Sequence, residues 1–177
     1  MDSSGAAPSQ QRCRARVTGQ NPLKLRVIAL AHKLPAWAAA ACEDYSRRLP
    51  REFPLEICEI RPEPRDRGKS VEQILAAEGE RIVAASHGCV VVALDERGEP
   101  WTTARLARDL SRWHDGGRSV AFVIGSADGL SPKLKRDANA VVALSALTLP
   151  HGLARVVLVE QLYRAVSMLR GHPYHRE

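Results

Sequence analysis

The tightest constraint on this chain is a pair of nearly unbroken apolar runs, Cys89–Leu94 (CVVVAL) and Ser119–Ile124 (SVAFVI). A strand with one face in water alternates polar and apolar residues. A run that stays apolar is a strand covered on both faces, as in a parallel sheet. The segments around these runs switch repeatedly between strand and helix periods. Leu23–Ala31 (LKLRVIALA) reads as a strand, with Leu23, Leu25 and Val27 set against Lys24 and Arg26 before it turns fully apolar. Pro35 opens a helix where its missing N–H costs nothing, with Trp37, Ala40, Ala41, Tyr45 and Leu49 on one face, and Pro50 closes it. Leu55–Ile60 is a second strand, and Arg61–Lys69 (RPEPRDRGK) a charged loop. Ser70 and Gln73 form a capping box ahead of the stripe Val71, Ile74, Leu75, Ile82 and Ala85. Thr102 or Thr103 caps a helix carrying Leu106, Leu110 and Trp113. Ser131 and Pro132 start a short basic helix, Val141–Leu144 is the last strand, and Leu153–Arg170 the last helix. This alternation predicts an α/β fold, an open parallel sheet with helices on both faces.

A chain of 177 residues suits one domain with a core of its own. Residues 1–22 lack apolar periodicity and are expected to be a disordered N-terminal extension, so the folded domain spans 23–177. An Arg-rich, acid-poor leader can also be a transit peptide, but no amphipathic pattern accompanies this one. The formal charge is +6, of which Arg12, Arg14 and Arg16 against Asp2 supply +2 within that extension. The remaining +4 is compatible with phosphate backbones and equally with an ordinary soluble domain. Cys13, Cys42, Cys58 and Cys89 stand apart, without a C-x-x-C pair, which fits reduced thiols in a cytoplasmic protein better than a disulfide framework or a zinc site. No apolar stretch approaches the ~20 residues of a membrane-spanning helix.

In open α/β sheets ligands sit beyond the carboxyl ends of the strands, and three such ends are unusual here. Leu94-Asp95 leads through Arg97-Gly98 to Pro100-Trp101. Gly125-Ser126-Ala127-Asp128-Gly129 is either a flexible turn before the Ser131 cap or a place where backbone comes close to a ligand; it lacks the lysine and spacing of a P-loop. Leu144-Ser145-Ala146-Leu147-Thr148-Leu149-Pro150-His151 is an apolar loop. It is either a crossover packed under the last helix or a loop whose backbone N–H and C=O groups face a nucleotide. The chain ends His172-Pro173-Tyr174-His175-Arg176-Glu177. Two histidines there invite a metal, but Pro173 breaks helical spacing and no third ligand is near, so no metal is expected.

The ordered set L-D-x-x-G-x-P-W (Leu94–Trp101), I-G-x-x-x-G-L-S-P (Ile124–Pro132), L-S-A-L-T-L-P-H (Leu144–His151), E-Q-L-Y-R-A (Glu160–Ala165) and terminal H-P-Y-H-R-E resembles the ribosomal RNA large subunit methyltransferase H family over Leu23–Glu177. The resemblance implies a SPOUT-type domain with a C-terminal trefoil knot, a homodimer, and S-adenosyl-L-methionine as cofactor. Carried over by position, the cofactor contacts are Leu94, Gly125 and the loop Leu144, Ser145, Ala146, Leu147, Thr148 and Leu149. The family usually has a second glycine where this chain has Ser126, a position that serine strains if it needs a positive φ.

The implied reaction methylates N3 of a pseudouridine in the helix 69 loop of 23S rRNA within the ribosome. An imide nitrogen is a weak nucleophile until deprotonated, and histidine, with an unperturbed pKa near ~6.5, suits that task. The expected assignment is His175 as base, Arg176 and Arg164 as RNA-positioning or anion-stabilising groups, and Tyr174 as a stacking or orienting group. Arg164 is equally readable as a surface arginine on the last helix. Without the resemblance, a non-enzymatic RNA-binding α/β module and a small-metabolite enzyme stay open as alternatives.

Overall fold

The structure, a computed structural model, describes residues 22–31, 33–65 and 68–176, the side chains of 175 and 176 excepted. Residues 1–21 of the expected N-terminal extension, including Cys13, lie outside that range. The elements run β1 (Leu25–Leu30), α1 (Ala36–Arg48), β2 (Leu55–Ile60), α2 (Val71–Ala85), β3 (Val90–Pro100), α3 (Thr103–Asp115), β4 (Val120–Ile124), α4 (Pro132–Asp137), β5 (Ala140–Ala143) and α5 (His151–Leu169), followed by a 3-10 turn at Pro173–Arg176. The expected alternation of strand and helix is what forms.

The five strands make one parallel sheet in the order β2-β1-β4-β3-β5. β1 and β4 occupy interior positions, and Ala29, Ala121 and Val123 are wholly inaccessible. One face packs Leu25, Val27, Val92, Val120 and Phe122 against Cys42 of α1, Leu106 and Leu110 of α3, and Leu158, Leu162 and Val166 of α5. The other packs Ile28, Leu30, Ala93 and Val123 against Ile82 of α2 and Leu134 of α4. Burying both faces explains why β4 and the first half of β3 show no alternation in sequence.

Helix starts follow the sequence signals. Ser70 accepts from Gln73 N–H while the Gln73 side chain accepts from Ser70 N–H. Thr102 caps α3, and Ser131 caps α4 just before Pro132.

Two expectations about faces need correcting, and α5 buries a charge. On α1 the buried residues are Ala38 and Cys42, while Trp37 is 55% exposed and Ala40 is also exposed. On α2 Val71 is exposed, and the stripe instead includes the carboxyl-bearing Glu78, buried between Ile74 and Ile82 at helical spacing. On α5 Arg155 is completely buried, pairing through Nη1 with Glu59 of β2.

β3 also outruns its expected end at Leu94. Leu94 and Glu99 both pair with Val142, so Asp95–Gly98 is looped out of the ladder between them. Gly98 makes this possible: a Cβ there would lie 2.6 Å from the Val142 backbone.

Candidate functional site

The carboxyl ends of three adjacent strands, β4, β3 and β5, open into a cavity of about 500 Å³. That volume suits a nucleotide-sized ligand. Leu94 and the Asp95–Gly98 excursion form one side, Ile124 to Gly129 a second, and the β5–α5 loop with His151 and Ala154 a third. Of the residues expected to hold the cofactor, Leu94, Gly125, Leu144, Ser145, Leu147, Thr148 and Leu149 line this cavity. Ala146 is exposed and does not line it. The β5–α5 loop is therefore cavity wall and not a crossover sealed under α5. Leu147 is 76% exposed, an apolar side chain held at the rim and left uncovered by the described residues. Ser145 Oγ accepts from Leu147 N–H at 2.9 Å, and Thr148 Oγ1 donates to Glu96 Oε2 across the cavity at 2.9 Å.

Gly125 is required by contact and not by a left-handed conformation: a Cβ would sit 2.4 Å from the Gly129 carbonyl. Ser126 bridges to Gly129, and no non-glycine residue described here has a positive φ, so serine carries no backbone strain at that position. Its hydroxyl instead donates to Glu78 Oε2 at 2.8 Å, both groups being buried. Glu78 Oε1 accepts from Glu63 N–H. Glu78 thus ties the Gly125–Gly129 turn to α2 and to the charged loop before it. Arg65 from the same loop grips Asp128 at 2.7 Å. A glycine at position 126 would leave Glu78 without that donor.

Charge is paired around the cavity. Lys135 Nζ lies 2.9 Å from Asp95 Oδ2, and Arg97 N–H donates to Asp95 Oδ1. Burial would raise the Asp95 pKa, but these hydrogen bonds and the charges of Lys135 and Arg97 outweigh it and hold the carboxyl below its ordinary range. His151 opens α5, and its Nδ1 is buried without a hydrogen-bond partner among the described residues. Burial, reinforced by the nearby Arg155 cation, pushes its pKa down and favours the neutral ring. An orphaned ring nitrogen on the wall is one polar group that a bound ligand could satisfy.

The C-terminal turn forms a separate cluster on α5. Tyr174 Oη donates to Glu160 Oε1 at 3.1 Å and lies 3.4 Å from Tyr45 Oη. The Arg164 guanidinium stacks 4.8 Å from the Tyr174 ring centroid while pairing with Glu160 at 2.8 Å. Tyr163 packs 4.7 Å from the same ring. Burial and these hydrogen bonds drive the Tyr174 pKa upward, so it stays a neutral phenol. Arg164 and Tyr174 are therefore brought together, and Arg164 is no loose surface arginine. The side chains of His175 and Arg176 fall outside the described residues. The cluster is not in the cavity: Ala154 lines the cavity and Arg164 is ten residues further along α5, about 15 Å away at 1.5 Å per residue. Sequence reading assigned no role to the side chains of Asp95, Lys135, Glu78 and His151. Asp95 and His151 stand in the strand-end motifs and Glu78 in the stripe of α2, whereas Lys135 left no signal.

Among the described residues no group of three His, Cys, Asp or Glu could hold a metal ion, and no helix is long and apolar enough to cross a membrane. Cys42, Cys58 and Cys89 are free thiols.

The family described as predicted SPOUT methyltransferase matches residues 23–175. The ribosomal RNA large subunit methyltransferase H of Nitrosospira multiformis is 56% identical over 155 residues, covering 87% of this chain and 99% of that one. The protein of that name from Burkholderia ambifaria is 51% identical with the same coverage. A solved structure from Bordetella pertussis, described as a probable methyltransferase, aligns over 82% of this chain and 95% of its own with a TM-score of 0.52 at 19% identity. A methylase-family structure from Neisseria gonorrhoeae aligns over 78% and 81% with a TM-score of 0.50 at 16% identity. The last two likenesses speak to the fold. Together with the strand-end cavity and its glycine turn, the sequence matches show that the chain belongs to the SPOUT methyltransferases, an enzyme family, and within them to ribosomal RNA large subunit methyltransferase H.

Proposed function

We propose that this chain transfers a methyl group from S-adenosyl-L-methionine to N3 of a pseudouridine in the helix 69 loop of 23S rRNA, acting on the ribosome in the cytoplasm. The observation that carries the reading is the cavity at the ends of β3, β4 and β5, which gathers seven of the eight residues expected to contact the cofactor. Its residues fit that group: the apolar side chains of Leu94, Leu144 and Leu149, a glycine turn with no room for a Cβ, and a His151 ring nitrogen without a partner among the described residues. When bound there, S-adenosylmethionine supplies an already activated methyl group, which leaves alignment and proton removal to the protein. Leu94, Leu144 and Leu149 exclude water from the donor. Tyr174 anchors the terminal turn on Glu160 and Tyr163, and so sets the position from which His175 takes the imide proton. Arg176 and Arg164 offset the anion that forms.

The separation of cavity and terminal turn along α5 bears on assembly. Arg164 lies about 15 Å along α5 from the cavity-lining Ala154, and a symmetric dimer can bring the turn of one protomer to the cavity of its partner. Uncovered apolar residues support that arrangement: Trp37 on α1, Leu153 on α5, and Leu147 at the rim are all exposed. Trp37 lies beside Gly152, where its ring is 3.4 Å from the position of a Cβ.

Methyl-labelled cofactor incubated with ribosomes tests the reading. Label in 23S rRNA is expected. Ribosome binding without label, and without cofactor binding, would favour the non-enzymatic RNA-binding module.

A further inference from the structure

The cofactor cavity has one feature that a nucleoside alone would not use. Beside the apolar residues Leu94, Ile124, Leu144 and Leu149 stands an ion pair, Asp95 with Lys135. The pair is neither core nor open surface, since its side chains are 13% and 34% exposed. The chain departs from regular structure to place it. The ladder between β3 and β5 breaks after Leu94, and the loop beginning at Asp95 leaves the sheet, as bulges do where a side chain must be re-aimed. Gly98 lets that loop close against Val142 with no space for a side chain. Arg97 N–H then fixes Asp95 Oδ1, leaving Oδ2 to face Lys135.

We propose that Asp95 and Lys135 are the subsite for the zwitterionic amino-acid end of the methyl donor, Lys135 meeting its α-carboxylate and Asp95 its α-ammonium. The inference rests on the cavity being the cofactor site. An α-amino acid carries one charge of each sign on neighbouring atoms, and the ion pair offers the complementary two. Adding the ligand's charges to the protein's gives an alternating set of four, so no charge is left buried without a partner. A phosphate fits worse. It would meet Asp95 within hydrogen-bonding reach of Lys135, so its charge would compete with that carboxylate for the same lysine. The Asp95 carboxyl stays ionised through neutral pH, as such a role needs.

Two ligands separate the proposal from a merely structural pair. S-adenosylhomocysteine keeps the amino-acid end, and 5′-methylthioadenosine lacks it. Calorimetry on the full chain should show wild-type protein binding the first more tightly. Lys135→Met and the isosteric Asp95→Asn should each weaken S-adenosylhomocysteine by about tenfold or more, the scale of one charge-assisted hydrogen bond. Each should change 5′-methylthioadenosine by less than about twofold, since that ligand makes no such bond. Equal weakening of both ligands, or of neither, overturns the subsite while leaving the cofactor cavity in place. Wild-type protein that binds neither ligand overturns the cavity reading and the subsite with it. Thermal melting of each variant confirms that it folds, and Lys135→Gln serves if Lys135→Met does not.

Discussion

The cavity and the C-terminal turn are held together in opposite ways. The cavity is tied by contacts between segments far apart in sequence: Glu78 to Ser126, Arg65 to Asp128, Asp95 to Lys135 and Glu96 to Thr148. It exists only when α2, β3, α4 and the β5–α5 loop are all in place. The terminal turn rests mainly on α5, through Glu160, Tyr163 and Arg164, with Tyr45 of α1 at its edge. A site built from the whole fold suits a donor that must be enclosed. A site hung on one helix can be removed without dismantling the rest.

Deleting Tyr174–Glu177 is the strongest test of that contrast. Methyl transfer to ribosomes should fall by about 100-fold or more, the scale of a lost general base together with its positioning. Cofactor affinity by calorimetry should hold within about twofold if the turn lies outside the cofactor's contacts. The fold should lose about 1–2 kcal/mol, because an aromatic contact and hydrogen bonds go with Tyr174. Normal methylation by the truncated chain would remove the turn from catalysis. Mixing the truncated chain with Gly125→Val, at cofactor too dilute for the latter to work, sharpens the comparison: the mixture should regain activity if cavity and turn come from different protomers, and show none if each chain works alone.

Gly125→Val should strike the other region. Its side chain would collide with the Gly129 carbonyl, a backbone group that cannot swing aside. Cofactor affinity should drop by about tenfold or more, with a stability loss of about 2–3 kcal/mol. Unchanged affinity would detach the glycine turn from the site.

Ser126→Ala addresses the tie behind that turn. It leaves the buried Glu78 carboxylate one donor short, which should cost about 1–3 kcal/mol by denaturant unfolding. No change in midpoint would mean that the turn holds itself.

His151→Asn should have the smallest effect. The folded-state pKa of His151 is depressed, so the unfolded chain binds its proton first and stability falls as pH drops below about 6.5 towards the folded value. Removing the ring should flatten that part of the stability–pH curve, leaving neutral pH nearly unaffected. An unaltered slope would clear His151 of this role.

How legible the two regions were in the sequence follows the same division. Strand ends and helix caps are local signals, so β4, the Ser70 capping box and the Gly125 turn could be read directly. The β3 excursion could not. Asp95–Gly98 reads as a charged loop, and only its partner Val142 shows that the strand resumes at Glu99. The buried charges were hidden for a similar reason. Glu78 and Arg155 lie on the apolar stripes of α2 and α5, but their burial depends on partners at Ser126 and Glu59, which spacing along a helix cannot supply. Trp37 misled in the other direction: a large apolar residue at helical spacing suggested core, and it is exposed beside the start of α5. In the terminal turn the residues were legible by resemblance, whereas the anchoring of Tyr174 by Glu160 was not.

The most direct test of the central claim is position-resolved methyl transfer. Purified chain, labelled S-adenosylmethionine and two ribosome preparations, with and without pseudouridine in the helix 69 loop, would be compared by nuclease digestion and mass spectrometry of that loop. The expected result is one methyl group on N3 of pseudouridine in the first preparation and little or none at that position in the second. Label elsewhere in the ribosome, or equal label in both, would contradict the assignment of this reaction to this chain.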